Sequence, residues 1–367
     1  MQIGIDARAA LSNNKGGFGV YARNLTKAMV ELFPKDTFDL KYSNQIEDEI
    51  SNCENIKYSK LNFPFNSLWT QIRLPFHFVN YKPDVFLFPY QSVCSYGSLR
   101  KVVTVHDLRF KILKKENHFE YFRLNTQLKN IVKYADHIIC VSQKTRSDLI
   151  KYFSVDDSKI SVVYHGADHI KIIREGEIKL EFDYLRKKYG IPRNFFLTVG
   201  YTMKHKNIIS AVECLSKLLK LGHEINLVIA GPKGNDEKNI LEKIEKLNLN
   251  RNVIRLTYVK KEDLPYLYFY SKFFLYPSLY EGFGFPILEA MRSGSVVLAS
   301  NKGSIPEIGG DSIINFDPLE IDDLVHKSDT ILSGKLDLQQ YIKRGYKRSE
   351  NFSWNKTALN TFRALQG

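Results

Sequence analysis

A repeating pattern limits how this chain can fold more than any other feature: short apolar runs alternate with longer amphipathic stretches, stop once near the middle, and start again. Ile3–Ile5 is followed by an amphipathic stretch, Gly19–Phe33, and Val85–Phe88 and Val102–Val105 read as buried strands. The spacing then predicts a helix over 121–134, a strand at Ile138–Val141, a helix at Thr145–Tyr152 and a strand at Ile160–Tyr164. From about Ala167 to Arg193 the chain is charged and closes on a helix, Lys179–Tyr189, with Gly190 and Pro192 as C-cap and breaker. A second series runs through Phe195–Val199, Ile208–Leu219, Ile225–Ala230, Lys238–Leu247, Val253–Leu256, Leu264–Tyr270, Phe273–Tyr276, Pro286–Arg292 and Ser295–Ala299. Strands alternating with helices imply parallel sheets covered on both faces. The expected class is α/β, with two doubly wound, Rossmann-like domains facing a central cleft. The domains are residues 1–170 and 171–350, and 351–367 is a terminal helix (Trp354–Leu365 is amphipathic) free to pack back on the N-terminal domain. Ligands in such sheets bind beyond the carboxyl ends of the strands.

Composition excludes several classes of function. At 367 residues, 44% hydrophobic and 25% charged, the chain is an ordinary globular protein too long for one core. Cys53, Cys94, Cys140 and Cys214 have no C-x-x-C spacing, which argues against a zinc site or a disulfide framework and fits a reducing compartment. Met1–Ile5 starts a strand rather than a basic, apolar leader, and no run approaches the roughly 18–20 apolar residues that span a bilayer. The expected location is the cytoplasm, free or peripheral at the inner face of the membrane. The net charge of +13 is spread over both halves and suits an anionic membrane or phosphate-bearing substrates. No base-reading motif appears, so no nucleic-acid partner is expected.

The segment richest in chemistry is Pro277-Ser278-Leu279-Tyr280-Glu281-Gly282-Phe283-Gly284-Phe285-Pro286-Ile287-Leu288-Glu289-Ala290. A strand ends, a Gly-x-Gly turn follows, and Pro286 stands in the first turn of a helix, where its missing N–H is no loss. Amides at a helix N-terminus attract anions. A diphosphate on the amides of Phe283, Gly284 and Phe285 leaves Glu281 and Glu289 for sugar and ribose hydroxyls, which carboxylates accept from. In Val199-Gly200-Tyr201-Thr202-Met203-Lys204-His205-Lys206-Asn207, a lysine after a strand end supplies positive charge to phosphates. Lys15-Gly16-Gly17-Phe18-Gly19-Val20-Tyr21 lies about ten residues past the first strand, too far for a dinucleotide fingerprint, which sits in the first tight turn. It is a ligand loop or a plain surface loop. Val103-Thr104-Val105-His106-Asp107 ends a strand in His106, a structural imidazole or one that donates to a hydroxyl or carries developing charge. Asp107 orients His106 or caps the next segment. Ser142 is placed to cap a helix. The acid pairs Asp156-Asp157 and Asp322-Asp323 sit in no metal pattern, and no metal is expected.

The run Glu281–Ala290, with its extension Gly294–Ser300, resembles the E-x7-E signature of family 4 of the retaining glycosyltransferases, which have the GT-B fold. The resemblance implies an acceptor-binding first domain and a nucleotide-sugar-binding second domain. By the same resemblance, Glu281 contacts the donor sugar, Glu289 holds the ribose, and Lys206 binds the diphosphate. Gly16 and Gly17 face the transferred phosphate and acceptor, His106 lies near the sugar, and Tyr258 and Val259 fall where the base pocket lies. The family often carries an arginine at the position of Tyr201 or His205; here neither is one, and Lys204 is left to supply a second charge. Ser304-Ile305-Pro306-Glu307 also looks familial, without assignable chemistry. The implied reaction is retaining transfer of a hexose from a GDP- or UDP-linked donor to a glycan or lipid-linked acceptor, with no metal and no cofactor besides that substrate. Mannosyl transfer in surface polysaccharide biosynthesis is the narrower expectation.

The basic, aromatic segment Lys111–Arg123, which includes Lys114 and Lys115, has two readings: contact with an anionic membrane, or a solvated helix face with a buried stripe. Two other functions use the same residues. A GT-B nucleotide-sugar epimerase needs no acceptor, and a non-catalytic glycan-binding or scaffold partner needs no intact site. The presence of Glu281, Glu289, Lys206 and His106 together counts against the second.

Overall fold

The computed structural model describes all residues except 13–15, 44–45, 47–49, 66–67, 114–116, 171 and 174–178. Lys15, Lys114 and Lys115 therefore lie outside the described residues. The chain forms two compact units, Met1–Gly166 with Phe352–Gly367, and Ala167–Asn351.

The first unit contains β1 (Gln2–Asp6), α1 (Gly17–Leu32), β2 (Thr37–Tyr42), β3 (Ile56–Lys60), α2 (Leu74–Phe78, entered through a wide helical turn, Trp69–Arg73) and β4 (Val85–Phe88). It continues with β5 (Arg100–Val105), α3 (Arg109–Ile112), α4 (His118–Tyr134), β6 (His137–Cys140), α5 (Gln143–Phe153) and β7 (Ile160–Val162). Its seven strands form a parallel sheet in the order β3-β2-β1-β4-β5-β6-β7. Helices cover both faces, which is why Ile5, Leu87, Val103 and Ile139 are fully buried on consecutive strands. β2 is not legible as a buried strand, because Asp39 and Lys41 interrupt it. Both side chains are nonetheless buried, joined by a 2.8 Å ion pair, with the Lys41 ammonium 3.8 Å from the centre of the Tyr81 ring. Ser142 caps α5 by accepting from the Thr145 amide at 3.0 Å, as its sequence position suggested.

The second unit contains α6 (Lys179–Tyr189), β8 (Phe195–Val199), α7 (Ile208–Lys220), β9 (Asn226–Ala230), α8 (Glu237–Lys246), β10 (Val253–Leu256) and α9 (Leu264–Tyr270). It continues with β11 (Phe274–Tyr276), α10 (Phe285–Arg292), β12 (Val297–Ser300), α11 (Ile305–Gly309), β13 (Ile314–Phe316), α12 (Ile321–Leu332) and α13 (Leu338–Ser349). The parallel sheet runs β10-β9-β8-β11-β12-β13. The helix of the charged middle segment, α6, is part of this unit: its Phe182 ring lies 4.5 Å from that of Tyr270, and its Tyr189 hydroxyl donates to Asp263 at 2.6 Å.

The last helix, α14 (Trp354–Gln366), returns to the first unit. Phe362 stacks on Phe33 at 3.7 Å, and Arg100 donates to the carbonyls of Ala364 and Leu365, both at 3.1 Å. Cations at a helix C-terminus satisfy its orphan carbonyls and its dipole.

Candidate functional site

In the second sheet β8 has β9 on one side and β11 on the other. Chain order reverses there, and at such a switch point the two loops leaving the strand ends diverge and open a crevice. Gly200 follows β8 and lies beside the stem of Lys206. The turn that follows β11 carries Glu281. The two loops are tied by their backbones, the Leu279 amide donating to the His205 carbonyl at 2.7 Å.

Lys206 and Glu281, 75 residues apart, meet in this crevice: Nζ donates to Glu281 Oε1 at 2.6 Å. Nζ also donates to the Tyr276 hydroxyl at 3.2 Å. An ammonium has three donors, and two are engaged this way. The side chains of Lys206 and Glu281 are 18% and 13% exposed, enough for a ligand to reach them. Burial works to raise the Glu281 carboxyl, but the charges of Lys206 and His205 and hydrogen bonds from Lys206 and Ser278 outweigh it and hold it down to about 2. Glu281 is therefore an ionised acceptor at any working pH.

Past Glu281 the chain turns through Gly284, the left-handed N-cap of α10 at φ +102°, which as a glycine has no side chain to cap with. Phe285 and Pro286 form its first turn, so the amides near Gly284 point out of the helix start. Glu289 stands one turn inside, where its Oε2 accepts from the Tyr268 hydroxyl at 2.9 Å. Burial raises the Glu289 carboxyl, against the opposing pull of that hydroxyl and of Lys261 and Lys206. The two glutamates thus sit in opposite electrostatic settings: the carboxyl of Glu281 is held down by its neighbouring charges, and that of Glu289 is raised by burial. Lys204 is exposed, with its amide donating to the Asn235 side chain at 3.1 Å. Tyr258 and Val259 follow β10, the edge strand, and stand apart from this cluster.

The turn is held from behind by residues that sequence reasoning left without a role. Ser304 is fully buried, its amide donating to the Glu281 carbonyl at 3.2 Å, and its hydroxyl lies 2.8 Å from the Phe283 carbonyl. Gly303, at φ +64°, lets the two turns touch: a Cβ there would stand 2.8 Å from the Glu281 amide nitrogen. Gly303→Ala is expected to displace Glu281, adding left-handed strain of about 1–2 kcal/mol to the clash. Calorimetric titration with nucleotide checks this, with an affinity loss of roughly tenfold or more expected. Unchanged affinity would show that the turn moves without consequence. Tyr276 and Tyr268 gave no sequence signal, because the residues they serve lie on other elements.

In the first unit the structure corrects one expectation and places His106. Residues 17–21 are not a loop: Gly16 is the N-cap and Gly17 the first residue of α1, so the predicted helix begins two residues earlier. The N-cap Gly16 has no side chain to cap with, and the first turn of α1 has no acid; helix N-termini favour anions. His106 is buried at the end of β5. Burial pushes its imidazole down to about 4, with the hydrogen bond to Pro89 opposing, so the ring is neutral at pH 7. Its Nε2 lies 2.8 Å from the Pro89 carbonyl. A carbonyl only accepts, so Nε2 carries the proton and Nδ1 is the acceptor. The ring is packed edge-on by Phe18 and Tyr21, at 4.8 and 4.9 Å. Asp107 does not orient it: its carboxylate accepts from the Arg109 amide at 3.2 Å, capping α3.

In the predicted lipid-facing segment, Lys111 Nζ bonds the Tyr121 hydroxyl at 3.0 Å and lies over the Phe153 ring, which favours the solvated-face reading there. Among the described residues no group of three His, Cys, Asp or Glu side chains converges on a metal position. Among them, too, no helix is long and apolar enough to cross a membrane.

Two family models match, Glycosyltransferase Family 4 over residues 15–170 and Glycosyl transferases group 1 over residues 181–348. The chain is 28% identical over 291 residues to the serotype-specific mannosyltransferase WbdA of Escherichia coli, a match covering 74% of this chain and 32% of WbdA. It thus spans about a third of that relative's length. It is 29% identical over 273 residues to the O-antigen chain mannosyltransferase B of Escherichia coli, covering 73% of this chain and 70% of the relative. Among solved structures, Anabaena HepE in complex with UDP and glucose superposes with a TM-score of 0.75 at 16% identity, covering 100% of this chain and 99% of that one.

Proposed function

Because the chain belongs to family 4 of the GT-B glycosyltransferases, we propose that it moves a mannosyl residue, with retention, from a GDP-linked donor to a glycan or lipid-linked acceptor in surface polysaccharide synthesis. The observation that carries this reading is the Lys206–Glu281 contact at the sheet's switch point, directly before the glycine N-cap of α10. Lys206 and the α10 amides take the diphosphate and ease its departure, an electrostatic role that grows as charge develops on the leaving oxygen. Glu281, ionised and acceptor-only, takes sugar hydroxyls, and Glu289 takes the ribose. Beyond β10, about two strand spacings from β8, Tyr258 and Val259 flank the base, a separation of roughly 10 Å that a nucleoside spans. The acceptor hydroxyl attacks C1 on the face from which the nucleoside diphosphate leaves, and its proton passes to the leaving phosphate oxygen. His106, neutral and held at Nε2, presents Nδ1 in the first unit as a hydrogen-bond acceptor for a hydroxyl group. The mannosyl assignment takes its support from the relatives' names. Residence at the inner face of the membrane is part of the same proposal.

Thermal shift with GDP, UDP, ADP and their sugar conjugates tests the donor, since a ligand of the folded state raises Tm by linkage. Stabilisation by GDP-mannose above the others supports the reading. No shift with any nucleotide at millimolar concentration sinks it and revives the non-catalytic partner. Epimerisation of the donor sugar without an acceptor favours the epimerase.

Glu289→Gln is expected to separate affinity from stability. A hydrogen bond to a charged acceptor contributes about 1.5–3 kcal/mol, so donor affinity falls by roughly 10- to 150-fold. Stability moves the other way. A carboxyl raised above 4.5 on folding penalises the folded state once pH exceeds its folded value, and Gln removes that penalty, so the variant melts higher at pH 8. By the same sign, wild-type donor affinity weakens on acidification starting above pH 4.5. A variant that melts lower, with affinity unchanged, contradicts both assignments.

A further inference from the structure

In the second unit, Thr202, Glu237 and Arg255 converge beside the turn that carries Lys206, and the transferase reading gives none of them a role. Sheet order brings them together: Thr202 follows β8, Glu237 opens α8, and Arg255 lies on β10, on the far side of β9. Thr202 is fully buried. Its hydroxyl donates to Glu237 Oε2 at 2.5 Å and accepts from the Gly234 amide at 2.7 Å. Glu237 also accepts two bonds from Arg255, Nε to Oε1 and Nη2 to Oε2, both at 3.0 Å. Arg255 Nη1 donates to the carbonyls of Leu256 at 2.8 Å and Ile229 at 3.3 Å, which ties the guanidinium to the sheet. Burial works to raise the Glu237 carboxyl, but hydrogen bonds from Arg255 and Thr202 and the charges of Arg255 and Lys233 outweigh it and hold it below its ordinary value. A forked, charge-assisted pair of this kind has a specific geometry.

The backbone at Thr202 is clamped as closely. Its amide donates to the Pro232 carbonyl at 3.2 Å, and its carbonyl accepts from the Asp236 amide at 2.9 Å. A Cβ at Gly231 would stand 2.3 Å from the Gly200 carbonyl oxygen, and one at Gly234 2.5 Å from that of Thr202. From Thr202 the chain enters a single tight turn, Lys204–Lys206, closed by the Lys206 amide donating to the Met203 carbonyl at 2.8 Å. A lysine ammonium rides on a flexible four-carbon stem, so its place depends on where the backbone starts that stem. Stability alone does not call for an ion pair here, because apolar residues of similar volume often replace a buried pair without loss.

We propose that Thr202, Glu237 and Arg255 are positioning residues: they fix the backbone that sets Lys206 against Glu281 and, in the transferase reading on which this inference rests, against the donor diphosphate.

Two measurements test it, the first without ligand. The drop in Tm caused by Lys206→Ala is measured in wild type and in Thr202→Val, which has the same shape, lacks the hydroxyl and leaves Glu237 paired with Arg255. A lysine already displaced from Glu281 has less to lose, so the drop is expected to shrink by at least about half. Equal drops in the two backgrounds overturn the proposal, whether or not the protein binds nucleotide. The second measurement is calorimetric titration with GDP and GMP. Thr202→Val is expected to lose roughly tenfold in GDP affinity and at most about twofold in GMP affinity, since Lys206 serves the diphosphate. Thr202→Ser restores the hydroxyl and is expected to recover the preference for GDP. Arg255→Met combined with Glu237→Leu is expected to melt no lower than wild type and still to lose that preference, which a role in stability alone would not produce. In a wild type that binds GDP, a preference unchanged in Thr202→Val, or equal losses for both nucleotides, overturns the proposal. A wild type that binds neither nucleotide removes the transferase reading and leaves the melting comparison to decide the positioning role.

Discussion

Lys206→Ala is expected to lower kcat by roughly 10²- to 10³-fold, the usual effect of removing one preorganised group that meets developing charge. It is also expected to destabilise the second unit. Glu281 keeps its carboxylate in a largely buried crevice because Lys206 lies 2.6 Å away, and without it the charge has lost its main partner. Breaking such a pair costs about 3–5 kcal/mol when it is fully buried, and partial exposure puts this case at the lower end. For a unit of this size that is a Tm drop of roughly 6–12 °C. The pH dependence has a fixed sign. A carboxyl held down to about 2 in the folded state stabilises above its unfolded 4.5 and loses that contribution as pH falls toward 2. The gap between wild type and variant therefore narrows on acidification. The double variant Lys206→Ala, Glu281→Gln is expected to recover most of the stability and none of the activity. Melting curves and steady-state kinetics on the three proteins decide it; full activity in Lys206→Ala removes the lysine from the reaction.

Ending the chain after Asn351 is expected to prevent the first unit from folding, although the deletion lies at the far end of the sequence. Phe352, Trp354, Phe362 and Leu365 are buried in that unit. At about 1.5–3 kcal/mol for each large apolar side chain, their loss is comparable to the roughly 5–15 kcal/mol that holds a domain together. Gly166 shows how closely this segment docks: a Cβ there would lie 2.3 Å from the Trp354 nitrogen, so Gly166→Ala is expected to act in the same direction more mildly. The second unit should survive, and nucleotide binding should report it. Limited proteolysis of the truncated chain is expected to leave a fragment beginning near Ala167. Two cooperative transitions unchanged by truncation would show that α14 is dispensable.

Most of the α/β series was legible because parallel strands buried on both faces are written as apolar runs such as Val85–Phe88 and Phe195–Val199. β2 was not, because a buried Asp39–Lys41 pair reads on paper as surface. The turn at Glu281–Pro286 was legible because its backbone chemistry is local: glycine permits the left-handed cap and proline the helix start. The glycines at 16 and 17 misled for the same reason. Glycine marks a helix N-cap as readily as a loop, and α1 takes its register from the core contacts of Tyr21, Leu25 and Met29.

The sequence by itself determined the alternating α/β order and the local geometry of the strand-end turns, since periodicity, capping and glycine conformation depend only on neighbours within a few residues. Tertiary structure alone decided what those turns face. It set Lys206 against Glu281 across 75 residues, gave one glutamate an ammonium and the other a phenol, and chose the proton position on His106 through a carbonyl 17 residues away. Ionisation and tautomer depend on the few ångströms around a group, and sheet order, not chain order, places the groups that fill them.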